Sequence, residues 1–280
     1  MPLFDRIINV QIGEKVFPNN LRISFEIEKT NESILNTANI KIYNLSEASR
    51  GQIKDLNTVI NLAAGYREYG GPKLVFTGNL LRVNHKFNLP DIVTEIDGGD
   101  GAKAVREARQ SVSFEEGTEI KTVLEGVAGN LGLDIREIPK DVKGVFEQGF
   151  SHIGPVKECL DKLCQRIEST WSIQDNQLQI TKDSQASVHA PVRITQVDGL
   201  LERLERLGDV RKFAINDADQ VITVGYRFRT LLNPDIQPGR IVTLTSYSGR
   251  YRVERVKHEG DNFEDKFIST VEVKEIGNAN

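Results

Sequence analysis

Two cysteines and four histidines bound the thiol and imidazole chemistry open to this chain. Cys159 and Cys164 lie in ECLDKLC. On a helix that spacing turns roughly 140° about the axis, so the thiols point apart. It suits neither a CxxC redox pair nor a zinc knuckle, and buried or incidental thiols are expected. His85, His152, His189 and His258 form no HExxH and no facial triad. His85 and His258 are read at strand ends, where a solvated or hydrogen-bonded imidazole is expected rather than a catalytic one.

Three other stretches invite a chemical reading. GFSHIG from Gly149 has its second glycine one residue too late for a GxSxG nucleophile elbow, so Ser151 is expected to help start a helix. GDGAK from Gly99 lacks the GxxxxGK spacing of a phosphate loop. DGGDG reads instead as a strand-ending turn whose glycines supply positive φ. Glu115 and Glu116 are adjacent, so they diverge on either a strand or a helix, whereas a glycosidase pair must face one cleft. ERLERLGDVRK reads as a solvated charged face. No catalytic, cofactor-binding or metal-ligating residue is therefore predicted, and no cofactor.

The elements that would position any site are mostly strands. Leu21, Ile23, Phe25 and Ile27 alternate with Arg22, Ser24, Glu26 and Glu28, the pattern of an antiparallel sheet buried on one face. RIINVQIG, ANIKIYN, VINLAAGYR, KLVFTGNLLRVNHKF and DIVTEIDG also read as strands, with turns at YGGP and NLPD. Ser46 opens a short helix with Ser49, Ile53 and Leu56 on one face. Farther on, Ile120, Val123, Leu124, Val127, Ala128 and Leu131 have the helical period, with Thr118 as N-cap. A second helix carries Val156, Leu160, Leu163 and Ile167, with Pro155 at its first turn. LDIREI, WSIQD and QLQITKD are short strands, the last two joined at Asp175-Asn176. VITVGYRFRTLL, GRIVTLTSYSG, RYRVERVKHEG and KFISTVEVKEI return to the strand pattern. Between them, DGLLERLERLGDV fits either a short amphipathic helix or an extended loop. The expected architecture is α+β and mostly β: two tube-like antiparallel β-barrel or sandwich domains, 1–102 and 191–280, flank an α+β insertion domain, 103–190.

The two sheet regions resemble each other. VINL, a glycine-containing turn, GNLLRVNHKF and IVTEI match IVTL, a glycine-containing turn, GRYRVERVKHEG and ISTVEV. Val83-x-His85 and Val256-x-His258 fall at corresponding points. This is either the general look of antiparallel meanders or a duplicated unit split by an insertion, and repeats set side by side generally serve an assembly.

At 280 residues the chain has room for about two domains. Its 36 Lys and Arg against 40 Asp and Glu give −4, too balanced to predict nucleic-acid or membrane binding by charge alone. The apolar runs fall far short of the ~20 residues that span a bilayer. MPLFDRIINVQIGEKV carries charges within its apolar stretch and no small-residue cleavage site, so no signal peptide is expected and assembly in a cytoplasm is.

Asn44-Leu45-Ser46 after a strand, the short helix, and then VINLAAGYR and VFTGNLLRV resemble baseplate hub proteins of contractile-tailed bacteriophages, of the Mu-type hub and late-control D-type family. IDGGDGAKAV resembles that family's step before its insertion. SFEEGTEIKTVLEGVAGNLGL and CLDKLCQRIESTWSIQDNQLQI resemble its middle domain. LLNPDIQPGRIVTL with GRYRVERVKHEGDN resembles its last β domain. DGLLERLERLGDVRKFAINDADQ is more charged than the family pattern, which leaves the path there open. The resemblance implies a structural virion protein of the tail baseplate and not an enzyme. It implies a homotrimeric ring adapting a six-fold tail tube to a three-fold central spike. The implied partners are the chain itself, the tail tube or tube-terminating ring protein, the spike, and baseplate wedge and tape-measure proteins. DNA passes only in transit through the channel, during genome ejection. The chain stops soon after its last strand, so no fused needle or lysozyme-like domain is expected. Four alternatives remain: a ring protein adjacent to the tail tube, the head of a related secretion-system spike, a tail-tip cell-wall hydrolase in the middle region, and a glycan-binding module using Trp171 and Tyr251.

Overall fold

The computed structural model describes residues 5–276, apart from 69, 89, 183–184, 188, 196–198, 212–221 and 248. The chain opens with β1 (Arg6–Ile12), β2 (Lys15–Phe17), β3 (Ile23–Thr30), β4 (Thr37–Tyr43), helix α1 (Glu47–Gln52), β5 (Val59–Tyr66), β6 (Gly71–Asn88) and β7 (Asp91–Gly99). A middle module follows with α2 (Ala102–Glu107), β8 (Arg109–Phe114), β9 (Thr118–Glu119), α3 (Ile120–Gly129), β10 (Asp134–Glu137) and β11 (Val145–Phe146). It ends with β12 (Phe150–Pro155), α4 (Val156–Arg166), β13 (Ser169–Gln174) and β14 (Gln177–Lys182). The last part holds β15 (Val192–Ile194), β16 (Glu205–Arg211), β17 (Ile222–Leu231), β18 (Ile241–Leu244), β19 (Arg250–Asp261) and β20 (Phe267–Ile276).

One sheet of thirteen strands runs β16-β17-β20-β19-β3-β4-β7-β6-β5-β1-β2, with β15 and β18 attached beside β19. It is antiparallel except where β15 meets β18. Alternation sets its faces: Ile23, Phe25 and Ile27 are buried, as are Ile40, Ile60 and Ile96 on neighbouring strands. A second buried cluster, around Phe228, Val253, Val256 and Val271, underlies the last strands. The middle module has its own core, in which α3 and α4 bury Val123, Leu124, Leu160 and Leu163 against Trp171 and Leu178.

The duplication is present in the topology. The first unit places its strands in the spatial order β5-β6-β7-β4-β3, and the last places its own as β18-β19-β20-β17-β16. Registers agree as well. Val59 and Ile60 face Asn79 and Gly78, as Ile241 and Val242 face Arg252 and Tyr251. A register break lies between Leu80 and Arg82 in β6 and between Val253 and Arg255 in β19. Val83 then faces Ile96 and His85 faces Thr94; Val256 faces Val271 and His258 faces Ser269. Two meanders of independent origin have no reason to share their register breaks. The units are welded where β3 pairs with β19, from Thr30 opposite Arg255 to Ser24 opposite Asp261.

Several local expectations change. Thr118 does not cap α3: it lies in β9, its hydroxyl donates to the Glu115 carbonyl at 2.7 Å, and Glu119 holds the cap position without a side-chain bond. Ser151 is exposed on β12 opposite Ser113, and α4 begins five residues later at Val156, with Pro155 at its N-cap. Gly98 and Gly99 continue β7 rather than turning; only Gly101, at φ +62°, takes the left-handed conformation there. DGLLERLERLGDV is neither helix nor loop throughout, because Glu205–Arg211 adds to β17 as a strand. Residues 199–204 before it are irregular, and 212–221 after it lie outside the described residues. The short strands β2, β8, β9, β11, β12 and β15 are additions to the elements expected from the sequence.

Ser46 does cap α1, its hydroxyl oxygen accepting from the Ser49 amide at 3.2 Å, but the helix ends before Ile53, and Leu56 is exposed. Ser46→Ala is expected to cost about 1 kcal/mol locally, read as a roughly fivefold faster hydrogen exchange at the Ser49 amide.

Candidate assembly interface

The residues weighed for chemistry do not converge. Cys159 and Cys164 are both buried on α4, and burial pushes the Cys159 thiol up to about 11, far from a reactive thiolate. Glu115 and Glu116 are exposed. His152 is buried with Nε2 3.2 Å from the Pro155 carbonyl, and His189 Nδ1 lies 2.7 Å from the Ser187 hydroxyl. Trp171 is buried and donates Nε1–H to Asp161 at 2.7 Å, and Tyr251 is buried against Tyr226, so neither offers a face to a sugar. Among the described residues no three of His, Cys, Asp and Glu gather as a metal site.

His85 and His258 sit within strands, not at their ends. His85 Nδ1 is 3.1 Å from the Thr94 hydroxyl, and His258 Nδ1 is 2.8 Å from that of Ser269. His258 also meets the Ile236 carbonyl, and burial with Lys29 nearby pushes its imidazole down from 6.5 to about 3. The unfolded chain therefore takes up a proton near pH 6.5 that the folded chain refuses until about 3, so stability present above 6.5 is lost as pH falls through that window. Asp100 opposes this in part. Burial raises its carboxyl from 3.8 to about 6, so the folded state gains stability as pH falls from 6 to 3.8. His258→Gln is expected to flatten the acid limb by up to one proton, about 1.4 kcal/mol per pH unit, in urea titrations across that range.

What does converge is a buried polar junction between the three parts of the chain. Lys29 is in phase with Ile23, Phe25 and Ile27, which places it on the buried face. Its side chain is 1% exposed and its Nζ lies 2.6 Å from Asp175 Oδ1 in the β13–β14 turn. Asp100 accepts from the Asp175 and Asn176 amides, each at 2.7 Å. Asn36 Nδ2 donates to the Ile173 carbonyl at 2.6 Å. From the last part, Gln237 Nε2 donates to Asp175 Oδ2 at 3.2 Å. Asp175 and Asn176 both have positive φ, as a tight two-residue hairpin requires. At Gly101 an added Cβ would come 2.6 Å from Ile173, so the crossing chains touch there. The sequence signal was available: a lysine where alternation calls for an apolar side chain.

The face of the main sheet opposite its core is covered with paired charges. Arg82 meets Asp97 at 2.6 Å, which also accepts from Asn39, and Lys86 meets Glu95 at 2.7 Å. Across the repeat junction, Lys257 bridges Glu26 and Glu259 at 2.8 and 3.5 Å, and Arg227 meets Glu272 at 2.6 Å. Acid and base alternate across this face and largely neutralise each other.

The mostly β, antiparallel fold is similar to that of phage tail proteins. It is similar over 96% of its length to 98% of the 43 kDa tail protein of prophage MuSo2 from Shewanella oneidensis (TM-score 0.66, 12% identity). It is likewise similar to a tail protein of Neisseria meningitidis MC58, covering 97% of each chain (TM-score 0.61, 11% identity). A third likeness, covering 96% of this chain and 77% of the other, is to E. coli c3393, a type VI secretion component itself similar to phage T4 gp27 and gp5 (TM-score 0.55, 10% identity). The chain belongs to the baseplate hub gp41 family, whose model matches residues 4–273. It is therefore a baseplate component of the phage virion. No curated protein matches it significantly.

Proposed function

We propose that this chain assembles with two further copies into a ring that joins the six-fold tail tube to the three-fold central spike. The observation that carries this reading is the duplication, since three chains with two equivalent sheet units each supply six similar units. The units 1–102 and 191–280 act as the ring's domains, and 103–190 is an insertion domain carried on it, tied down through Asp175. In this reading α1 orients a strand edge toward a neighbour. The charge-paired sheet face lines the channel, where mutually neutralised side chains let DNA pass in transit during ejection without holding it. The role is structural and turns over no substrate. The partners are the tube or tube-terminating ring protein, the spike, and wedge and tape-measure proteins, with assembly in the host cytoplasm.

Light scattering on the purified 31.4 kDa chain tests this. Three times that mass is expected at micromolar concentration; a stable monomer overturns the reading. The fold likeness to a type VI component favours, as second reading, the head of a secretion-system spike, which co-assembly with tube and spike proteins separates.

A further inference from the structure

Besides the short strands β2 and β15 and the start of β1, two stretches of the main sheet have no strand alongside them among the described residues. One is β16, at one end of the order. The other is the far half of β6. β5 pairs with Gly71–Asn79 and stops, while β7 follows β6 on its other side to Asn88. From Leu81 on, one edge of β6 is open, and Phe87 is 64% exposed. Open backbone edges of this kind are templates for another strand.

The repeat indicates which strand fits. β6 corresponds to β19, and β16 to β3. Within the chain, β3 lies along β19 on the side that β18 leaves free beyond Arg252. Carried across the repeat, that junction sets β16 along β6 beyond β5. Within one chain β16 and β6 are held apart by the strands between them, so the pairing runs between copies.

We infer that β16 of one copy adds antiparallel to the open half of β6 in the next, with Glu205 opposite Lys86 and Arg206 opposite His85. The register follows from the existing junction. Glu26 faces Glu259 there, Glu205 holds on β16 the place of Glu26, and Lys86 that of Glu259. Inside the chain two acids face each other and need Lys257 between them; between copies an acid faces a base. The contact is head-to-tail, each copy giving one edge and receiving on the other, which closes only as a ring. It also accounts for the difference between the equivalent histidines. His258, beneath β3, is buried; His85, on the open edge and held only by Thr94 on β7 with Arg50 nearby, is half-buried.

This inference rests on the self-assembly reading, and a cysteine pair distinguishes the two. In K86C/E205C both positions are on strands and outside the cores, and the native cysteines are buried. Mild oxidation is expected to give a ladder of disulfide-linked oligomers, at least about tenfold more than N84C/E205C, whose Cα atoms would stand ~7–8 Å apart. A trimer by light scattering with no excess of K86C/E205C linkage overturns the strand assignment and leaves self-assembly standing. A monomer by light scattering overturns both. Trp171 fluorescence confirms that each variant is folded.

Discussion

Lys29→Met is expected to destabilise the fold by roughly 3–5 kcal/mol, the range seen when one partner of a buried ion pair is removed. The methionine fills the space of the lysine stem but not its charge. Asp175, beside the buried carboxyl of Asp100, then loses the cation 2.6 Å away. The hydrogen-bond donors that remain, Thr77 N–H at 3.3 Å and Gln237 Nε2 at 3.2 Å, are neutral, and the half-buried Arg136 acts on Asp175 only through space. The loss should shrink as pH falls towards 6 and be smallest below it. Lys29, together with the Asp175 and Asn176 amides, lowers the Asp100 carboxyl against its burial; without Lys29 that group takes its proton at a higher pH, whereas below about 6 it is protonated in parent and variant alike. Urea unfolding at pH 7.5 and pH 5, followed by Trp171 fluorescence, checks both points. A variant within 1 kcal/mol of the parent at pH 7.5 would show that the junction contributes little. Because Asp175 belongs to the middle module and Lys29 to β3, the first sign of damage should be loosened packing of that module.

Phe76→Ala is expected to cost about 3–5 kcal/mol through the cavity it leaves. The side chain is fully buried in the first core, and the backbone around it is pared to glycine. A Cβ at Gly78 would come 2.5 Å from the ring, and one at Gly98 3.0 Å. Gly98→Ala alone should therefore cost about 1–3 kcal/mol by overpacking. Combined with Phe76→Leu it should cost less than the sum of the two single changes, because the smaller side chain vacates the space that the new methyl needs. Denaturant midpoints of the singles and the double measure this coupling; strict additivity would mean that the ring and the glycine are not in contact.

These two sites mark the limits of what the residues alone disclose. The alternation from Leu21 to Glu28, the helical period from Ile120 to Leu131, and the match of VINL with IVTL all report local burial, and each is found in the structure as a strand, a helix or a shared register. Non-local pairing leaves no such trace. Nothing within β3 says that it will lie beside β19, more than two hundred positions away, and so the weld between the repeats was not legible. Gly98 and Gly99 read as turn residues because backbone freedom is the commoner use of glycine; their use here is room, for Phe76 at Gly98 and for Leu81 and Ala102 at Gly99. DGLLERLERLGDV is ambiguous because Leu200, Leu204 and Leu207 have near-helical spacing, while the open edge of β17 imposes strand pairing from Glu205 on. Lys29 was legible in principle from its phase, and was hidden by the polar residues beside it.

The continuity of the main sheet through β3 and β19 has a mechanical consequence. A pull directed along these strands loads a row of backbone hydrogen bonds together, in shear, instead of peeling them apart one at a time. The junction should therefore be stiffest along the strand direction, and a sudden axial jolt would travel through the polypeptide backbone before any side-chain contact had to bear it.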